Sequence, residues 1–181
     1  MENFIAALTK VDGRCERVAD IGTAAAYIAR HSNGPLLLPH QPSLVRAGLA
    51  EALRATGLPL IEDNWRAQAP TASAGVTGSN FAIAATGTLV LNSTPEEVRL
   101  ATTLPERHFA LLDPAKILPD AETAIPIIRS LHQEHPQAFL AYITGPSRTA
   151  DIERVLTIGV HGPAELHILL MQGLSEDPLE S

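Results

Sequence analysis

The sequence predicts an α/β fold, a layered and mostly parallel sheet flanked by helices. Short apolar runs of strand length recur at Leu36–Leu38, Leu58–Ile61, Thr88–Leu91, Phe109–Leu112, Ala138–Ile143 and Leu166–Met171. Segments with apolar residues at helical spacing lie between most of them. That alternation is the pattern of strands covered by helices. With 181 residues, 45% hydrophobic and 18% charged, the chain can bury a sizeable core without disulfides. Residues 1–181 read as a single domain, with residues 174–181 expected to fray as an acidic tail.

In chain order, Met1 to Lys10 places Phe4, Ile5 and Leu8 on one helical face and ends at Asp12-Gly13. Alanine-rich Thr23 to His31 reads as a helix closed by Asn33-Gly34-Pro35. Pro42 to Thr56 carries Leu44, Val45, Leu49, Ala52 and Leu53 at helical spacing, with Gly57 beyond its end. Asn64 to Ser73, interrupted by Pro70, reads as a surface connection. Small residues dominate from Gly75 to Gly87, which lets backbones approach one another or a ligand closely. Thr94-Pro95-Glu96-Glu97 starts a helix. Ala121 to His135 forms another, with Ile125, Ile128 and Leu131 expected inward and Pro136 ending it.

The formal charge is −7 and no basic run is present, which argues against nucleic acid or an anionic membrane as a partner. Aromatics make up 4%, so few rings are available to stack on bases. The first twenty residues contain no secretory apolar core and no apolar run reaches membrane-spanning length, so the cytoplasm is the expected location. Cys15 is the only cysteine, so this chain alone cannot hold an iron–sulfur cluster. No Walker loop, dinucleotide fingerprint or nucleophile elbow is present, and no cofactor is assigned. His132 and His135 read as a solvated helix end without further ligands, so no metal site is expected.

The chemistry concentrates between Tyr142 and Pro163. Gly145-Pro146-Ser147-Arg148-Thr149 reads as a strand-to-helix turn, with Asp151 and Glu153 in the helix that Gly159 stops. Gly145 permits a left-handed backbone, Ser147 and Thr149 offer hydroxyls, and Arg148 offers a planar fork for a carboxylate or phosphate. The same residues equally fit a capped helix with Arg148 paired to Asp151 or Glu153. His161-Gly162-Pro163 forms a second turn, expected at the same sheet edge. Its imidazole can exchange a proton with a substrate or hold the turn through backbone carbonyls. Thr86 and Gly87 can receive a ligand's polar atoms, or mark a packing point. The catalytic candidates are His161, Asp151 and Glu153, and the ligand-binding candidates are Gly145, Ser147, Arg148, Thr149, Thr86, Gly87, His161 and Gly162.

The run from Gly145 to Glu153, followed by Gly159-Val160-His161-Gly162-Pro163, resembles the LUD-domain family, in particular its lactate-utilisation protein C branch. Gly75-Val76-Thr77, Ala82-Ile83-Ala84 and Thr86-Gly87-Thr88-Leu89-Val90 are similar to that family's other signature. The resemblance implies a fold similar to the sugar-phosphate isomerase and CoA-transferase (NagB/RpiA-like) superfamily. It also implies a role as the cluster-free accessory component of a system oxidising L-lactate to pyruvate. The partners it implies are iron–sulfur and oxidoreductase subunits, with a small anionic molecule at the 145–151 and 161–163 turns. Family members usually carry an acidic residue where this chain has Ala85, so a carboxylate base at that position is missing here. The alternatives are an independent enzyme of isomerase or acyl/CoA-transferase type, and a non-catalytic sensing or assembly module.

Overall fold

A computed structural model describes residues 1–149, 157–159 and 161–181. Its centre is a six-stranded sheet in the order β1-β12-β7-β4-β2-β3, with every pairing parallel. Its strands are β1 (Arg14–Arg17), β2 (Leu36–Leu37), β3 (Leu60–Ile61), β4 (Ala74–Thr77), β7 (Arg107–Leu112) and β12 (Glu165–Leu170). A second sheet, β8-β5-β6-β9, is built from β5 (Phe81–Ile83), β6 (Thr88–Asn92), β8 (Ile117–Leu118) and β9 (Leu140–Ile143). A short antiparallel pair joins β10 (Arg148–Thr149) to β11 (Thr157–Ile158).

The period-2 geometry of a strand sorts its side chains to two faces. Phe109 and Leu111 of β7 point to one face, together with Leu169 of β12. There they meet α2 (Ile21–Arg30), α3 (Pro42–Arg46) and α4 (Leu49–Ala55) through Ala24, Ile28, Leu44, Leu49 and Leu53. Ala110, Leu112, Ile168 and Leu170 point to the other face. They pack on Phe4 and Leu8 of α1 (Glu2–Lys10), Val98 of α6 (Glu96–Thr103), and Ala82, Leu89 and Leu91 of the second sheet. The far side of that second sheet, Phe81, Ile83 and Val90, is covered by Ala124 and Leu131 of α7 (Ala121–Glu134). The result is a layered, mostly parallel α/β fold. Among the described residues no helix is long and apolar enough to cross a membrane.

Several local expectations change. Helix α2 starts at Ile21, two residues before Thr23, because the Asp20 carboxylate caps it by accepting from the Thr23 N–H at 2.7 Å. The helix expected over Pro42–Thr56 is broken at Gly48, where φ is +74°. Within Asn64–Ser73 lies α5 (Trp65–Gln68), followed by a short 3₁₀ turn. Ile125 faces out at 44% exposed, and Ala124 takes the inward position instead. The Ala138–Ile143 run begins as a strand only at Leu140 and forms the edge of the second sheet, with Tyr142 half exposed.

The largest change is in the acidic tail, which does not fray. Leu174 joins the first core and Leu179 packs against the third. The Asn80 side-chain amide donates to the carbonyls of Pro178 and Leu179, at 3.2 and 3.0 Å.

Candidate functional site

Strand β9 leaves the second sheet and turns at Gly145, where φ is +82° and the chain presses against the end of α1's loop. A Cβ at this glycine would stand 2.2 Å from the Val11 carbonyl oxygen, so only glycine fits. Beyond the turn, the Ser147 N–H donates to the Pro163 carbonyl at 2.8 Å, and the Gly159 N–H donates to the Ser147 carbonyl at 2.9 Å. Those two bonds stitch the 145–147 turn to the 161–163 turn. Arg148 and Thr149 are extended and pair with Ile158 and Thr157, in place of the expected helix entry and helix end. Asp151 and Glu153 lie outside the described residues.

Between the stitched turns is a cavity of about 290 Å³. Gly145, Ser147, His161 and Gly162 line it, as do Thr102 and Thr103 of α6, Thr144, and His108 of β7. Ile143 and Leu166 supply an apolar wall. Because β9 belongs to one sheet and β12 to the other, the cavity lies between the two sheets, not along a single edge. It opens at the amino-terminal ends of β7 and β12, opposite the carboxyl-end crevice where open parallel sheets usually bind ligands.

His108 is buried, and its Nε2 lies 2.8 Å from the Thr77 hydroxyl. Burial, reinforced by the neighbouring His167, pushes its pKa down to about 4, so the ring is neutral at pH 7. Behind it, His167 Nε2 lies 3.1 Å from the Glu165 carboxylate and Nδ1 lies 3.0 Å from the Tyr27 hydroxyl. A carboxylate only accepts, so Nε2 carries the proton and Nδ1 accepts from Tyr27. Glu165 in turn pairs with Arg14 and Arg107 at 2.9 and 3.1 Å, which ties this network to the starts of β1 and β7.

A scan against family models matches the LUD domain over residues 1–171. The chain belongs to the LUD-domain family. It is 33% identical over 158 residues to lactate utilization protein C of Bacillus subtilis (strain 168), covering 80% of this chain and 65% of that protein. It is likewise 33% identical over 148 residues to lactate utilization protein C of Anoxybacillus flavithermus, covering 79% of this chain and 66% of the relative. The chain thus spans just under two thirds of the length of these relatives. A crystal structure of a DUF162-family protein from Deinococcus radiodurans shares the fold, with a TM-score of 0.66, 18% identity and 94% of each chain covered.

The second LUD signature supports the cavity from behind. Hydroxyls of Thr86, Thr88 and Thr144 form a chain at 2.6 and 2.8 Å, and this chain ends on the cavity wall. Gly87 is a packing point, since a Cβ there would meet the Leu8 backbone nitrogen of α1 at 2.4 Å. Ala85 is exposed in the turn between β5 and β6 and does not line the cavity. Arg148 is not on the cavity wall either. Its Nη2 pairs with the Asp12 carboxylate at 2.7 Å. Both side chains are substantially exposed, so removing the pair in Arg148→Ala should change stability by less than about 1 kcal/mol. A thermal melt checks this.

Sequence reasoning missed His108, Thr102, Thr103 and Thr144. The signal for His108 was a histidine heading an otherwise apolar strand run, Arg107 to Leu112. Thr102 and Thr103 carry no such mark, because helix-end threonines commonly bond back to their own carbonyls, as both do here.

Proposed function

We propose that this LUD domain is a cluster-free component of an L-lactate utilisation system, and that the 145–147 and 161–163 turns hold a small anionic metabolite between them. The observation that carries the reading is the convergence of both motif turns on one cavity, in a chain whose relatives are named for lactate utilisation. The cavity offers hydroxyl and imidazole donors on a frame of backbone hydrogen bonds, the chemistry that orients a small carboxylate. The iron–sulfur and oxidoreductase work falls to partner subunits. Cys15 is the chain's one thiol, and burial pushes it up to about 11, so it stays protonated and inert.

Thermal unfolding with L-lactate and with pyruvate tests the reading, alongside gentle co-purification from the native host. A ligand at about a hundred times its dissociation constant adds roughly 2.7 kcal/mol. In a chain of this size that raises the melting temperature by roughly 5–10 °C. The shift should shrink in Ser147→Ala. No shift with either acid, and no iron–sulfur subunit in the purified fraction, would sink the proposal.

The second reading is an acid–base enzyme of isomerase or acyl-transferring type in the same cavity, and the pair His108 and His161 favours it. Their positions divide their roles. A ring held near 4 is a weak base at pH 7 and serves better as a hydrogen-bonding group, so proton exchange would fall to His161 at the exposed rim. Turnover that survives His161→Gln would exclude that role.

A further inference from the structure

On the face of the large sheet that α2 covers, the starts of three neighbouring strands carry charge. Arg14 of β1 is in register with His167 of β12, and Glu165 of β12 with Arg107 of β7. Residues two apart along a strand share a face, so Arg14, Glu165 and Arg107 lie together on one side, with His167. The end of α2 meets them with Arg30, His31 and Ser32. With Asn33, these residues border a cavity of about 340 Å³, whose lining shares no residue with the motif cavity.

The lining is strongly positive. It holds three arginines and one acid, Glu165, while Glu106, 3.7 Å from Arg107 Nη1, stays outside it. Glu165 leaves most of the arginines' donors idle. It takes one bond from Arg14, at 2.9 Å, and one from Arg107, at 3.1 Å, although each guanidinium has five N–H groups to give. What Glu165 does is aim them. It is tied to His167, whose side chain is 1% exposed and whose ring meets the Tyr27 hydroxyl at 3.0 Å. A buried chain thus fixes a carboxylate, and the carboxylate holds two guanidinium groups in place before any ligand arrives. Arg30 lies over the Tyr27 ring, 5.9 Å from its centroid, and has no carboxylate partner among the described residues. The Ser32 hydroxyl oxygen is buried without a partner among the described residues, which costs free energy unless a ligand supplies one. The carbonyls that end a helix disfavour anions, but two of them are already capped here. The Tyr27 carbonyl accepts from His31 Nδ1 at 2.8 Å, and the Ile28 carbonyl from the His31 N–H at 3.1 Å.

We infer that this pocket is an anion site in its own right and that it binds a phosphate group, whether of free phosphate or of a small phosphate ester. Three arginines against one carboxylate leave two positive charges, which match a phosphate group close to its double negative charge at pH 7. Guanidinium groups from three separate elements can each meet a different oxygen of a tetrahedral anion. A carboxylate offers two coplanar oxygens, which a single fork satisfies. The cavity is within the size range of small-ligand pockets, so an organic group can accompany the phosphate.

The test titrates the full chain with methyl phosphate, inorganic phosphate and acetate at one ionic strength, following backbone amide shifts by NMR. At least one phosphate should give saturable one-to-one shifts centred on Arg30 to Asn33 and Arg107, and bind roughly tenfold more tightly than acetate. Arg30→Gln should weaken that binding roughly tenfold, whereas Ser147→Ala in the motif cavity should leave it unchanged. Arg14→Gln gives the same reading should Arg30→Gln fail to fold. Tighter binding of the methyl ester than of the free ion assigns the pocket to a small phosphate ester, and the reverse order assigns it to phosphate itself. Shifts that do not saturate, acetate binding as tightly as phosphate, unchanged affinity in Arg30→Gln, or affinity lost in Ser147→Ala instead would each overturn the proposal.

Discussion

Replacing Gly75 by alanine is expected to lower the melting temperature by roughly 6–12 °C and to weaken ligand binding in the motif cavity. Gly75 sits inside β4, hydrogen-bonded between β2 and β7, where α6 lies directly across the strand. A Cβ there would stand 1.8 Å from the Ala101 carbonyl oxygen and 2.6 Å from its carbon. Both atoms are helix backbone, so no side-chain rotation relieves the clash and α6 must back away as a body. Overpacking of this kind costs about 3 kcal/mol, and each kcal/mol is worth about 2–4 °C in a chain of this size.

The functional consequence follows from position. Gly75 is in register with His108, and α6 ends at Thr102 and Thr103, so the displaced helix carries one wall of the cavity away from its floor. Gly22→Ala is the matched control. It lies in helix α2 with ordinary space around it, its nearest neighbour being the Asp20 carboxylate at 3.4 Å. It should leave stability unchanged or raise it by up to about 1 kcal/mol. If the two variants melt alike, close packing is not what the glycine of the second LUD signature provides.

That glycine shows how far the sequence could be read. A run of small residues from Gly75 announced close approach, but not that the approaching element is a helix beginning some twenty residues later. The helices α1 and α7 were legible because their apolar faces repeat at helical spacing, α2 because its alanine-rich run ends at Asn33-Gly34-Pro35, and α6 because Thr94-Pro95-Glu96-Glu97 announces its start. So were β7 and β12, whose double burial makes them nearly all apolar. β1 was not, because Arg14–Arg17 is an edge strand with mostly exposed side chains and looks like any polar linker. The tail was misread for a related reason. Its acidic composition suggests fraying, but its anchors are Leu174, Leu179 and the Glu180 carboxylate, and the partner Arg46 lies 134 residues away.

The motif cavity divides the same way. The two turns were visible as glycine, proline and hydroxyl clusters, and the structure joins them through Ser147 and Pro163. Their placement between two sheets, and the histidine beneath them, depend on strand pairings far apart in the chain that no local pattern encodes. The strand at 148–149 reads as a helix entry in sequence because hydroxyls after Gly-Pro suit both a cap and a turn.

His108 provides the second large effect. Unfolded, its imidazole takes a proton near 6.5, whereas in the folded protein it does so only at about 4. Between those values the unfolded chain holds the extra proton, so stability rises with pH there. It is fully present above about 6.5 and is lost as pH falls toward 4. A shift of this size is worth on the order of 3 kcal/mol, which predicts a fall of roughly 6–12 °C in melting temperature between about pH 7.5 and about pH 4. His108→Gln keeps an amide near Thr77 and removes the titration, so its profile should be flatter over that window. The remaining slope belongs partly to His167, which burial also shifts down. An anion in the cavity adds the decisive variation. Negative charge beside the ring favours the imidazolium and raises its folded pKa toward the unfolded one. Ligand-saturated protein should therefore lose less stability on acidification than free protein, and this protection should vanish in His108→Gln. Equal acid sensitivity with and without ligand would mean that the anion does not sit against His108.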